Sequence, residues 1–259
     1  MQIPQVGLGV WQASPEECRH AVAAALRIGY RHIDTARIYG NEADVGAAIR
    51  DSGIPRETIF VTTKLWNDDQ GYDSALRAFD ASAKRLGLDY VDLYLIHWPV
   101  PGKRLDSWRA LEKLHDDKRA RMIGVSNFLV PHLTELLTKA KHKPHANQIE
   151  LSPFLQRRDT VAMCQREGIT LEAYSPLTRG KRLGHPVIQA IAAEVSRSPA
   201  QVLLRWSVQH GFVVLPKSVR EERIRENFTL DFTLSPDQMS RLDALEENLA
   251  TGWDPATMA

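Results

Sequence analysis

The hydrophobic positions along the chain fall into two alternating kinds of segment. Short runs rich in Val, Ile and Leu have the length of buried strands, and longer segments between them repeat apolar residues at helical spacing. This alternation predicts parallel strands that are joined by helices. Strands are predicted at residues 6–10, 32–36, 59–66, 91–97, 121–127, 145–150, 170–176 and 212–218.

Residues typical of helix termini bound the amphipathic segments. Ser14 precedes Pro15 and two glutamates, which is the order of an N-cap followed by the first helical position. Glycines stand where four helices are expected to end. These glycines are Gly29, Gly53, Gly87 and Gly168.

Eight strand–helix units in 259 residues have the size of a closed (β/α)8 barrel, which is an α/β fold. We therefore predict one (β/α)8 TIM-barrel domain over residues 1–259, with a cofactor and substrate site at the carboxyl ends of the strands. The alternative is a doubly wound open sheet, which would need a glycine-rich phosphate loop after the first strand. Gly7 and Gly9 could begin such a loop, but Gln12 stands where the third glycine is needed, so the barrel is favoured.

Composition and charge narrow the classes of function. The chain is 43% hydrophobic and 25% charged, and its net charge of +1 favours neither nucleic acid nor an anionic membrane as a partner. Cys18 and Cys164 lack the spacing of a metal site or a disulfide framework. The sequence shows no secretory signal and no apolar run of about 18 residues that could span a membrane. We expect a cytoplasmic monomer without nucleic-acid or membrane partners.

Polar residues stand at the ends of most predicted strands. Because a barrel brings the carboxyl ends of its strands to one rim, these residues are expected to meet there. Each also has a structural explanation: His97 could be a hydrogen-bonded structural group, Asp34 a helix cap, and Lys64 a side chain that reaches solvent. The strand-end set is Asp34, Lys64, His97, Ser126, Asn127, Gln148, Tyr174, Ser175, Lys217 and Ser218.

One chemistry for such a cluster is metal-assisted hydrolysis. His32 and Asp34 would share a face of their strand, as two metal ligands must. Only His97 could add a third ligand, and the cation of Lys64 would repel a divalent metal. We therefore expect no metal site.

The other chemistry is proton transfer by Tyr39, which follows Asp34 in a loop. Tyrosine ordinarily has a pKa of about 10, and a neighbouring ammonium lowers that pKa by favouring the phenolate. Asp34, Lys64 and Tyr39 have the composition of such a relay, and His97 could orient a carbonyl oxygen. This combination indicates carbonyl reduction, provided that a hydride donor is bound.

Seven motifs resemble those of the aldo-keto reductases, in the order of that family and over nearly the whole chain. The motifs are HIDTARIYGNEADVGAAI, VTTKLW, DLYLIHWP, GVSNF, NQIE, EAYSPL and LPKSVREERIREN. The resemblance implies a (β/α)8 enzyme that reduces aldehydes or ketones with NADPH and releases NADP+. The short loop after His97 and the short tail resemble bacterial 2,5-diketo-D-gluconate reductase-like members, which implies small polar or dicarbonyl substrates.

The resemblance also implies a role for each matching position. Tyr39 would be the general acid, tuned by Lys64 and Asp34, and His97 would orient the carbonyl. The cofactor would contact Ser126, Asn127 and Gln148 at its carboxamide, Tyr174 at its nicotinamide ring, Ser175, Pro176, Leu177, Lys217, Ser218 and Val219 at its phosphates, and Arg223, Glu226 and Asn227 at its adenine end. The substrate pocket would be lined by Trp11, Trp66, Trp98 and His97.

Three features leave alternatives open. Family members usually begin with a hairpin that plugs the bottom of the barrel, and only MQIPQ precedes the first predicted strand here. Some proteins of this fold are cofactor-sensing subunits of membrane channels, but the extra segment that such a partner would require is not visible. Arg223 follows Lys217 and Ser218 into a predicted helix, where it could bind the phosphate that distinguishes NADP from NAD, or belong only to a solvated charged run.

Overall fold

Eight parallel strands form one sheet whose strand order follows the chain. The computed structural model describes residues 2–258. Its strands are β1 (Leu8–Gly9), β2 (His32–Asp34), β3 (Phe60–Leu65), β4 (Val91–Ile96), β5 (Ala120–Ser126), β6 (Ala146–Glu150), β7 (Thr170–Tyr174) and β8 (Val213–Leu215). Parallel bridges from Val6 to Val214 and from Gly9 to Lys217 return the sheet to its first strand. The predicted (β/α)8 barrel is confirmed.

Ten α-helices surround the barrel within residues 2–258. They are α1 (Pro15–Ile28), α2 (Glu42–Asp51), α3 (Tyr72–Leu86), α4 (Arg104–Asp116), α5 (Val130–Leu137), α6 (Arg158–Glu167), α7 (Pro186–Glu194), α8 (Pro199–Gln209), α9 (Glu221–Phe228) and α10 (Pro236–Asp243). Ser14 caps α1 as predicted, and it forms a capping box with Glu17. Ser52, and not the predicted Gly53, is the residue directly after α2, so Gly53 lies one position beyond the C-cap. The predicted caps found in place are Gly29, Gly87 and Gly168.

Most strands end earlier than the apolar runs predicted. β2 ends at Asp34 rather than at residue 36, and β8 ends at Leu215 rather than at residue 218. Pro216 explains the end of β8, since proline has no N–H to donate to a neighbouring strand. The early ends leave several of the predicted site residues on loops at the mouth of the barrel, where their side chains are not confined to the sheet.

The side chains inside the barrel change character from one end to the other. The lower interior is apolar and consists of Ile3, Phe60, Leu93, Leu95, Ala146, Val213 and Leu215. Ile3 is only 7% exposed, so the segment before β1 fills part of the amino-terminal end of the barrel. The upper interior is polar and contains Asp34. His32 lies on the same face of β2, as the spacing predicted, but lower in the barrel and against Phe60. A second apolar cluster packs between the strands and the helices.

Gly7 makes room for a neutral imidazole inside the barrel. A Cβ at this position would lie 2.7 Å from Leu215 Cδ2 and 2.8 Å from His32 Nδ1, well inside van der Waals contact. His32 instead packs with Nε2 3.0 Å from Thr62 Oγ1 and Nδ1 3.4 Å from the carbonyl oxygen of Pro4. Burial lowers the pKa of His32 to about 4, so the ring is uncharged at neutral pH.

Both cysteines are buried free thiols. Burial raises the pKa of Cys18 to about 12 and that of Cys164 to about 11, so neither has the character of a reactive thiolate. Across residues 2–258, the structure contains no helix of the length and apolar character that crossing a membrane requires.

Candidate active site

An ion pair inside the barrel joins the ends of β2 and β3. Lys64 Nζ donates to Asp34 Oδ1 at 2.6 Å and to the carbonyl oxygen of Thr35 at 2.9 Å. The Lys64 side chain is fully buried and that of Asp34 is 5% exposed. Burial alone would lower the pKa of Lys64, but the Asp34 carboxylate raises it above its usual value, so the ammonium form persists. The predicted convergence of these two strand ends is therefore observed.

Tyr39 covers this ion pair from the loop after β2. It ends the 3-10 turn Arg37–Tyr39, and Lys64 Nζ lies 5.1 Å from the centroid of its ring. Burial raises the pKa of Tyr39, Lys64 lowers it, and the net shift is upward. The sequence correctly predicted the effect of the ammonium but not the outcome, because desolvation of the phenolate outweighs the attraction of one nearby cation. Tyr39 is consequently a protonated phenol at neutral pH.

His97 lies directly after β4 and faces both Tyr39 and Trp66. Its ring centroid is 5.9 Å from that of Tyr39 and 5.2 Å from that of Trp66, both in edge-to-face arrangements. Burial and then the Lys64 cation hold the pKa of His97 well below its usual value, so its imidazole is neutral. Nδ1 is buried and has no hydrogen-bond partner among the described residues. Nε2 is not buried in this way, so we assign the proton to Nε2, where its N–H is accessible to a ligand.

Gln148 extends the ion pair across the barrel. Its Nε2 donates to Asp34 Oδ2 and to Glu172 Oε2, both at 2.9 Å. Glu172, on β7, is fully buried, and its Oε1 lies 3.9 Å from His32 Nε2. Glu172 was not among the site residues predicted from the sequence. It stands two residues before Tyr174 on the same strand, so the period of two along β7 could have placed both residues on the inner face.

Three more predicted residues form a hydrogen-bonded set beside His97. Ser126 Oγ donates to the carbonyl oxygen of Gln148 at 2.8 Å, and Asn127 Nδ2 donates to that of His97 at 3.0 Å. Tyr174 Oη donates to Asn127 Oδ1 at 2.7 Å. Asn127 adopts a left-handed backbone with φ of 64°, a conformation that asparagine tolerates better than most residues. The ends of β4, β5, β6 and β7 are thereby held together.

The residues predicted for the phosphates and adenine lie along the rim after β7 and β8. Lys217 and Arg223 are exposed, and Ser218 and Asn227 are buried. Glu226 lines a shallow depression of about 590 Å³ beside α8. The remaining predicted positions on this rim are Ser175, Pro176, Leu177 and Val219, of which Pro176 is buried and the others are half-buried.

The charged run of α9 contains both paired and unpaired side chains among the described residues. Glu221 pairs with Arg27 and with Arg225, at 3.1 Å and 3.2 Å. Within residues 2–258, Arg223 forms no ion pair or hydrogen bond, so its guanidinium is available to an external anion.

Aromatic side chains from several loops stand around the mouth. Trp66 contacts His97, and Trp98 packs against Trp253 with ring centroids 5.8 Å apart. Arg179 lies over the ring of Trp11 at 4.7 Å. Trp253 and Arg179 were missed in the sequence because they lie on a tail and a loop without periodic pattern, and no local signal marks them.

The tail that carries Trp253 is fixed to the barrel by a buried carboxylate. Glu150 Oε1 accepts from Thr251 N at 2.8 Å and from the Thr251 hydroxyl, and its Oε2 accepts from Gly252 N at 3.2 Å. Arg157 adds an ion pair to Asp254 at 2.9 Å. These contacts hold the exposed indole of Trp253 over Trp98.

The part of the chain that the structure describes contains no set of side chains arranged as metal ligands. No group of three or more His, Cys, Asp and Glu side chains is arranged to hold an ion between residues 2 and 258. His32 and Asp34 share a face, as expected, but Asp34 already accepts from the Lys64 ammonium and from Gln148.

Comparison with known proteins identifies the family. Residues 4–247 match the Aldo/keto reductase family. The glyoxal reductase of Bacillus subtilis (strain 168) is 49% identical over 257 residues, 98% of this chain and 93% of that protein. The 9,11-endoperoxide prostaglandin H2 reductase of Trypanosoma cruzi (strain CL Brener) is 50% identical over 260 residues, 98% of this chain and 92% of that protein.

A solved structure agrees with this match. The crystal structure of a Gox0644 mutant in complex with NADPH has a TM-score of 0.94 and 43% identity, over 98% of this chain and 94% of that one. The chain therefore belongs to the aldo/keto reductase family, and the resemblance of its motifs is confirmed.

Proposed function

We propose that this chain reduces small aldehydes and ketones to alcohols with NADPH, and that Tyr39 is the general acid. The observation that carries the proposal is the buried Lys64–Asp34 ion pair beneath a protonated Tyr39, with the neutral His97 beside it. Placing four such groups together in a barrel interior costs free energy. Perturbed ionisable groups cluster at functional sites, so this arrangement favours a catalytic role.

The class of enzyme and its cofactor rest on the family. The predicted NADP-dependent oxidoreductase is confirmed by the family match together with the NADPH-bound relative. The residues of this chain also fit that cofactor. Arg223 and Lys217 are exposed cations for a phosphate, and Gln148 Oε1 accepts no hydrogen bond from a described residue, which leaves it for the carboxamide N–H.

The proposed mechanism assigns each polar group one task. When bound, NADPH supplies the hydride that goes to the carbonyl carbon. Tyr39 donates its phenolic proton to the carbonyl oxygen, and the Lys64 ammonium stabilises the phenolate that this leaves. The neutral His97 can donate its Nε2–H to the same oxygen and so orient the carbonyl. Asp34 keeps Lys64 charged and in place.

The cofactor is assigned to the predicted residues around this centre. Ser126, Asn127 and Gln148 would hold the carboxamide, and the ring of Tyr174 would stack on the nicotinamide. Ser175, Pro176, Leu177, Lys217, Ser218 and Val219 are assigned to the phosphates. Arg223, Glu226 and Asn227 are assigned to the adenosine end, where the dipole at the start of α9 favours an anion.

The first test is Tyr39→Phe. This variant keeps the ring but removes the proton donor, so kcat should fall by at least about 100-fold while the Kd for NADPH stays close to that of wild type. Stopped-flow turnover and fluorescence titration measure the two quantities. Tyr90→Phe is the matched control, because Tyr90 contacts Arg56 and Arg121 beside the start of β4, at the opposite end of the barrel. A Tyr39→Phe enzyme with most of its turnover would remove Tyr39 from the proposed role.

The second test concerns cofactor choice. Arg223→Ala should raise the Kd for NADPH by roughly 10- to 100-fold and leave that for NADH nearly unchanged, since a charge-assisted contact contributes about 1.5–3 kcal/mol. Arg225→Ala is the control on the same helix, because Arg225 is already paired with Glu221. Equal weakening of both cofactors, or a wild-type preference for NADH, contradicts the assignment.

The substrate class follows from the mouth of the barrel. The loop between β4 and α4 is short, Trp66 contacts His97, and Trp98 packs against Trp253 at the mouth. The name glyoxal reductase supports a dicarbonyl, but a relative of similar identity is named for a prostaglandin substrate, so identity alone does not decide the substrate class.

We expect small polar aldehydes and 1,2-dicarbonyls to exceed bulky ketones in kcat/KM, because a short-looped pocket has few walls to bury a large apolar substrate. A screen that follows NADPH absorbance across both groups measures this. A steroid ketone as the best substrate would overturn the proposed class.

A further inference from the structure

Glu172 is a buried carboxyl group that the proposed mechanism does not use. It projects from the middle of β7 into the barrel and is completely inaccessible to solvent. One N–H reaches it, from Gln148 Nε2 to Oε2, and its Oε1 has no hydrogen-bond partner among the described residues. A buried carboxyl group is costly to desolvate, and Gln148 supplies its only hydrogen bond among the described residues.

That hydrogen bond completes the constraint on one amide. A glutamine amide has two N–H donors on one side and a carbonyl oxygen on the other. Both donors of Gln148 are engaged, one by Asp34 and one by Glu172. Two carboxyl acceptors on the same nitrogen allow only one orientation of the amide. Its Oε1 therefore stays on the side away from both carboxyl groups and accepts from no described residue.

Glu172 keeps an acceptor for Gln148 whether or not it is ionised. Burial and the nearby Asp34 raise its pKa to about 7, while Gln148 and Lys64 act in the opposite direction. His32, the other titratable group close to it, is neutral. A proton on the free Oε1 leaves Oε2 able to accept, so the amide is held on both sides of neutrality.

We propose that Glu172 is a positioning residue for Gln148, holding its second N–H so that Gln148 Oε1 meets the carboxamide N–H of the nicotinamide. This inference rests on the proposed function. It assigns to Glu172 a share of cofactor recognition without contact with the cofactor, through an amide that Asp34 alone would hold by a single hydrogen bond.

The experiment compares three ligands that differ at the relevant atoms. NADP+ carries the carboxamide NH2, its 3-acetylpyridine analogue has a methyl group there, and adenosine 2′,5′-bisphosphate lacks the nicotinamide. Wild type should prefer NADP+ to the analogue by roughly threefold to tenfold, the range for one hydrogen bond. In Glu172→Leu and Glu172→Met, which lack an acceptor, this preference should fall towards one. Isothermal calorimetry measures each Kd.

Two controls make the result specific. Glu172→Gln restores an acceptor oxygen without the charge, so it should regain the wild-type preference. Asp92→Asn alters a buried carboxylate on β4 that contacts Arg56 and the backbone N–H of Val61, and it should lower stability but not ligand preference. Adenosine 2′,5′-bisphosphate should bind all variants alike, because the phosphate end is unaffected.

Different results would contradict the role of Glu172 and the proposed function. A full preference for NADP+ in both apolar variants overturns the inference, and so does an equal loss of affinity for the bisphosphate, which would mark a structural role. A wild type that binds NADP+ without distinguishing it from the analogue also overturns it. A wild type that binds none of the three ligands contradicts the proposed function itself.

Discussion

A charged ammonium inside a barrel interior constrains everything around it. Removing Lys64 Nζ from water costs several kcal/mol, a penalty that must be offset by an opposite charge and by hydrogen bonds. Asp34 and the carbonyl oxygen of Thr35 supply both at short distance. The second Asp34 oxygen then needs its own donor, which Gln148 provides from the other side of the barrel. One ion pair thus ties β2 and β3 to β6, and through Gln148 to β7.

The division of the barrel into two halves makes this arrangement possible. The apolar cluster that includes Ile3, Phe60 and Leu215 excludes water from the lower interior. The low dielectric that results strengthens the ion pair above it. The same environment keeps His32 and His97 neutral and Tyr39 protonated. A neutral imidazole and a protonated phenol are the states that a carbonyl-reducing site requires at neutral pH, so burial and the proposed chemistry point in the same direction.

Much of this architecture could be predicted from the sequence. Apolar runs alternating with helical segments gave the barrel, and polar residues at run ends located the side on which Asp34, Lys64 and His97 meet. Strand ends were predicted less well, because backbone hydrogen bonding between strands stops before the apolar run does. At Pro216, for example, the chain has no N–H to donate to a neighbouring strand. Glu172 was missed because it lies in the middle of β7 and not at a strand end. Its contact with Gln148 becomes evident only when both side chains are placed inside the barrel. The pKa of Tyr39 depends on the balance of burial against Lys64, and the depth of burial cannot be read from a motif.

The Lys64 cation opposes the effect of burial on the pKa of Tyr39. The most direct measurement is the pH profile of kcat for alcohol oxidation, the reverse reaction, in which the Tyr39 phenolate must act as the base. Because Lys64 lowers the pKa of Tyr39, its replacement in Lys64→Met should move the limb where rate rises with pH to higher pH. The double variant Asp34→Asn with Lys64→Met leaves no unpaired carboxylate and so guards against a folding defect. It should show a smaller displacement in the same direction, because the Asp34 charge raises the pKa of Tyr39 and is removed as well. A profile that keeps its wild-type position in both variants would contradict the claim.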